Sequence, residues 1–160
     1  MKPKVYLETT IPSLLTAWPS RDLVIAADQQ VTKEWWRTRR RDFELFISQV
    51  VLDEVGEGDK TAAAARLAAI GGLPVLEVNA EVEHVARTLL ESRLIPPKAA
   101  NDALHLAVAA VHRMHFLLTW NCRHLANAAI GGQLSAACRG AGFEIPVICT
   151  PKELMLKPMI

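Results

Sequence analysis

An α/β domain, with a parallel sheet covered by helices on both faces, is the fold class this sequence predicts. Two observations carry it. Short strand-like apolar runs alternate with segments of helical periodicity along the whole chain, and parallel strands need crossovers, which are helices. The 160 residues are 51% apolar and 22% charged, enough to bury the core of one domain spanning 1–160. No internal repeat or linker-like segment divides it.

Taken in order, Val5, Tyr6 and Leu7 form a first strand, with Glu8 at its tip and Pro12 ending any regular extension. Apolar residues around Leu23, Ala26, Ala27, Val31 and Trp35 recur at helical spacing and predict an amphipathic helix over about 21–41. "FELFIS" (43–48) reads as a strand, and Ser48 as the N-cap of a helix, "QVVLDEV", that stops in the glycine turn at 56–58. A helix over 60–70 closes at Gly71-Gly72, and the branched residues of "LPVLEV" (73–78) form a third strand. Asn79 caps a helix to about Ser92, which "IPPK" breaks. A helix over about 98–113, the apolar strand "FLLT" (116–119), a helix over about 124–139 and the strand "PVICT" (146–150) complete a sheet of about five strands.

Composition excludes several classes. A net charge of +1 argues neither for nor against a nucleic-acid partner; only a local patch could. Cys122, Cys138 and Cys149 are too few and too scattered for a disulfide framework, and no C-x-x-C pair points to zinc. No signal-type stretch follows Met1-Lys2 and no apolar run is long enough to span a bilayer. The expected location is the reducing cytoplasm.

In parallel α/β sheets the functional crevice lies beyond the carboxyl ends of the strands. Glu8 leaves the first strand at that end. Glu54 lies in the second turn of the helix after "FELFIS", and Asn121 follows "FLLT" by two residues. Asp102 is near the start of the helix that runs back towards "FLLT", so its first turn belongs to the same rim. Three carboxylates so gathered repel one another unless a counter-charge is supplied. A hard divalent cation supplies it, and oxygen donors select Mg²⁺ or Mn²⁺ over zinc or copper. Each residue alone has a plainer role: Asp102 and Glu54 as helix-dipole partners, Asn121 as a turn residue. Their joint placement favours a metal site, with the hydroxyls of Thr9 and Thr10 orienting Glu8.

Other segments carry weaker signals. "KEWWRTRRRDF" (33–43) combines five cations with Trp35 and Trp36, suiting single-stranded RNA; a solvated basic helix end is the favoured reading. His105, one turn after Asp102, is expected in the core or behind the site. Arg123 and His124 follow Asn121 at the rim and are candidates for phosphate contact, whereas a soft-metal site at Cys122 and His124 lacks a second ligand pair. Asp53 points roughly 100° away from Glu54 and is expected in solvent.

At "YLETTIPS", "SQVVLDEV", "ANDALHLAVA" and "LLTWNCRHLAN" the chain resembles the PIN-domain family, specifically its VapC-like toxins, in a branch with Glu in the first motif and Asn in the last. The motifs stand in the family's order and span residues 4 to about 155. The resemblance implies a three-layer α/β/α fold and a Mg²⁺- or Mn²⁺-dependent endoribonuclease that leaves a 5′-phosphate, with Glu8, Glu54, Asp102 and Asn121 as catalytic and metal-binding residues. It also implies RNA as substrate and a cognate antitoxin as partner, and it is compatible with a homodimer. A non-catalytic module of the same fold, binding RNA or a protein, is the competing reading. Glu8 and Asn121, where the family most often has Asp, are the residues that favour it.

Overall fold

A computed structural model describes residues 1–159. Five parallel strands form one sheet in the order β3-β2-β1-β4-β5: β1 is Lys4–Leu7, β2 Glu44–Ser48, β3 Val75–Leu76, β4 Phe116–Leu118 and β5 Val147–Cys149. The chain winds outward from β1 through β2 to β3, then returns to start again at β4 on the other side of β1. Tyr6 pairs with Phe46 on one flank and with Leu117 on the other, so β1 is the central strand. All three of its last residues, Val5, Tyr6 and Leu7, are fully buried. Reversal of winding between β1 and β4 opens a crevice at their carboxyl ends.

The helices are α1 (Thr10–Thr16), α2 (Leu23–Thr38), α3 (Gln49–Val55), α4 (Lys60–Ile70), α5 (Ala80–Glu91), α6 (Ala100–Val111) and α7 (Gly131–Gly140). Asn79 caps α5 as expected, its Oδ1 accepting from Val82 N at 3.0 Å. The most heavily buried helix is α6, with Ala103, His105, Leu106 and the four residues 107–110 all buried. Its alanines let it lie close against the neighbouring α5. Among the described residues no helix is long and apolar enough to cross a membrane.

Three expectations are corrected. Residues 10–16 form a helix that was not foreseen, because Pro12 falls in its first turn, where a missing N–H costs nothing. Ser48 stands at the N-cap position of α3 but makes no capping bond; its hydroxyl is 2.7 Å from the Tyr6 hydroxyl instead. The helix expected from about 124 begins only at Gly131. Asn121 and Asn127 hold the segment before it in turns, Asn127 Oδ1 accepting from Ala129 N at 3.0 Å.

The basic segment lies at the far rim. A 3-10 turn at Arg40–Asp42 leads into the amino end of β2, so its cations are a full strand length from the carboxyl rim. Trp35 is buried, and the face of Trp36 is covered by the Arg40 guanidinium at 4.6 Å. Lys33, Arg37, Arg40 and Arg41 are exposed, while Arg39 is buried and paired with Asp42. That is the solvated helix end favoured from sequence.

Candidate active site

Each of the four rim residues is positioned by a different element. Glu8 continues β1, its backbone N–H donating to Leu118 O of β4 at 3.1 Å, so the carboxylate stands at the reversal between the two strands. Its Oε1 accepts from Thr10 N (3.0 Å), Thr10 Oγ1 (2.5 Å) and Thr119 Oγ1 (2.8 Å). Those three donors stabilise a side chain that is only 4% exposed. Thr10 Oγ1 in turn accepts from Trp120 N at 2.8 Å, tying the β4 exit loop to α1.

Glu54 reaches the rim from α3. Its Oε1 accepts from Thr9 Oγ1 at 2.7 Å and pairs with His105 Nε2 at 2.5 Å, and Asn101 Nδ2 lies 3.4 Å from Oε2. Of the two hydroxyls expected on Glu8, only that of Thr10 is there; Thr9 orients Glu54 instead. His105 is wholly buried, as expected, and its Nδ1 is 2.7 Å from the Tyr6 hydroxyl. Burial pushes the Tyr6 phenol upward; the Ser48 hydrogen bond opposes this, and the charges of Glu8 and Glu54 push it higher still. Tyr6 thus stays protonated. One assignment satisfies every atom of the chain: Ser48 donates to Tyr6, Tyr6 to His105 Nδ1, and Nε2–H to Glu54.

Asp102 stands in the first turn of α6, and its Oδ2 is 2.8 Å from His124 Nδ1. His124 N donates to Asn121 Oδ1 at 3.1 Å, and Asn121 N donates to Thr119 Oγ1 at 2.9 Å. One network therefore runs from Glu8 through Thr119, Asn121 and His124 to Asp102. Glu54 is outside this network, held by Thr9 and Asn101, the sequence neighbours of Glu8 and Asp102. Of the four predicted residues, the structure links Glu8, Asn121 and Asp102 through hydrogen bonds. Asp53 is exposed and bonded to Gln49, and Arg123 is exposed beside the network. Tyr6, Ser48, Asn101 and Thr119 were not singled out from sequence as site residues; the one signal was Thr119, the polar residue that closes the run "FLLT".

The two ends of each carboxylate differ. Glu8 Oε1 and Asp102 Oδ2 are committed to protein donors, whereas Glu8 Oε2 and Asp102 Oδ1 have no protein partner. Neither free oxygen is sealed from solvent, since the sole buried side-chain N or O without a partner among the described residues is Arg39 Nε. Also among them, no three His, Cys, Asp or Glu side chains are grouped to hold a metal ion. The donor chemistry fits a hard cation of the kind that keeps most of its waters and takes one or two carboxylates; it does not fit an all-protein cage.

Burial raises the Glu54 pKa, but hydrogen bonds from His105, Thr9 and Asn101 outweigh it, leaving the carboxyl below its ordinary 4.5. A depressed folded-state value stabilises the fold fully above about 4.5, and that contribution vanishes as pH falls through the lower native value. In Tm measured against pH, wild type should therefore fall more steeply below pH 4.5 than Glu54→Gln, the two curves converging in acid. Parallel curves would mean that Glu54 is not held as described.

No known family's sequence profile matches the chain, and no curated protein matches it. A crystal structure of VapBC2 from Rickettsia felis, bound to a DNA fragment from their promoter, is similar in fold. The match has a TM-score of 0.54 over 92% of this chain and 98% of that one, at 15% identity. The likeness is one of architecture, and with the five-stranded parallel sheet it bears out the expected PIN-like three-layer fold.

Proposed function

We propose that this chain is a divalent-metal-dependent endoribonuclease of the VapC kind, the toxin of a pair whose second member is an antitoxin protein. The observation that carries this reading is the hydrogen-bonded network that joins Glu8, Asn121 and Asp102 at the carboxyl rim between β1 and β4, with Glu54 held beside it by Thr9 and Asn101. The likeness in fold to VapBC2 supports it. RNA as substrate rests on the resemblance of the motifs.

The roles follow from which atoms are free. Glu8 and Asp102 would hold Mg²⁺ or Mn²⁺ through Oε2 and Oδ1. Thr10, Thr119 and His124 fix those carboxylates in place through their other oxygens. Glu54, steadied by Thr9 and His105, supplies the third negative charge of the site. When bound, the ion supplies Lewis acidity to activate water and neutralises charge developing on a phosphodiester. Arg123, exposed beside Asn121, would meet the phosphate backbone, as would His124 in the imidazolium form, in which Nε2 also carries a proton.

The competing reading, a binding module without catalysis, draws on the absence of a three-acid cluster among the described residues. Purified protein separates the two. Calorimetric titration should show Mn²⁺ binding, and a single-stranded RNA should be cut with Mn²⁺ and left whole with EDTA. Absence of both binding and cleavage rejects the nuclease. Expression should also arrest growth, and coexpression of a small reading frame lying just upstream should relieve the arrest.

A further inference from the structure

We infer that Asn121 serves the anionic substrate and not the cation, as a hydrogen-bond donor to a non-bridging phosphate oxygen; the inference rests on the nuclease reading. An asparagine can meet a cation only through Oδ1, and an anion only through Nδ2. Which end is which is ordinarily a matter of assignment, but here a backbone group decides it. His124 N–H can only donate, and it lies 3.1 Å from the side-chain atom it meets, which must therefore be the oxygen.

The residue has no freedom to exchange the two ends. Its own carbonyl accepts from Ala126 N at 2.8 Å and from Leu125 N at 3.3 Å, and its N–H donates to Thr119 Oγ1. Asn121 is thus clamped at the head of the turn it caps. Nδ2 has no partner in the protein. It is also not sealed from solvent, since it is not among the buried unpartnered atoms.

The site is consequently divided by polarity. Free acceptors stand on Glu8 and Asp102, and free donors stand on Asn121, within a single hydrogen-bonded network. An aspartate at 121 would present a second acceptor where this chain presents an N–H₂. A phosphodiester oxygen accepts such a donor, whereas a cation is repelled by it.

Two variants test this while keeping the capping oxygen, Asn121→Ser and Asn121→Asp. Each is made in wild type for Mn²⁺ calorimetry and on an Asp102→Asn background for anisotropy with a fluorescent single-stranded RNA. Both should weaken RNA binding about tenfold, the range of a hydrogen bond to a charged group. Mn²⁺ affinity should stay within about threefold for Asn121→Ser and rise for Asn121→Asp. Tenfold weaker Mn²⁺ binding in Asn121→Ser, or RNA affinity unchanged in both variants, overturns the inference. If wild type binds Mn²⁺ and cuts RNA while the variants bind RNA normally, only this role falls. If wild type does neither, the nuclease reading falls and takes the role with it.

Discussion

Asp102→Asn should reduce metal-dependent RNA cleavage by about a thousandfold or more while leaving the fold intact. The substitution removes one of two free carboxylate oxygens at the rim and lowers the charge available to a cation. Its structural cost is small for a geometric reason. The side chain is isosteric, it sits partly exposed in the first turn of α6, and an amide oxygen can still meet His124 Nδ1, now 2.8 Å from the carboxylate. Cleavage of a labelled RNA and a thermal melt, measured on the same preparation, check both halves. Wild-type cleavage by this variant would remove Asp102 from the site.

The opposite dissociation is expected from Trp35→Ala. Trp35 is fully buried; it stacks on Phe43 with centroids 5.8 Å apart, and its Nε1 donates to Leu154 O at 3.2 Å. One side chain therefore joins α2, the entry to β2 and the C-terminal segment. Truncation leaves a large cavity and an unsatisfied carbonyl, at a cost of about 3–5 kcal/mol, which lowers Tm by roughly 10 °C for a domain of this size. Because Phe43 precedes β2, this contact lies at the amino end of the sheet, away from the network around Glu8. Cleavage assayed well below the new Tm should remain near wild type. Loss of activity in a folded Trp35→Ala protein would show that the two rims are coupled.

The parallel α/β architecture was legible because each strand and most helices announce themselves by pattern. The rim rule then placed Glu8, Glu54 and Asn121 directly, and Asp102 by the direction of its helix. What escaped was local competition for hydrogen bonds. Pro12 reads as a breaker, yet in a first turn it is harmless. Ser48 reads as a cap, yet its hydroxyl is drawn to Tyr6, 42 residues away in sequence. Asn121 and Asn127 hold backbone N–H groups that a longer α7 would have used, and so delay that helix to Gly131. The Ser48–Tyr6–His105–Glu54 chain was invisible for the same reason. No spacing rule links a strand tyrosine to a histidine of α6.

The sheet's borders have a consequence of their own. Its outermost strands, Val75–Leu76 and Val147–Cys149, are two and three residues long. So brief a fringe offers few open amides to a foreign β-segment, and stacking of further copies edge to edge is disfavoured. Even at high concentration, accumulated chains should resist fibrillar templating, and any lasting association should run through side chains.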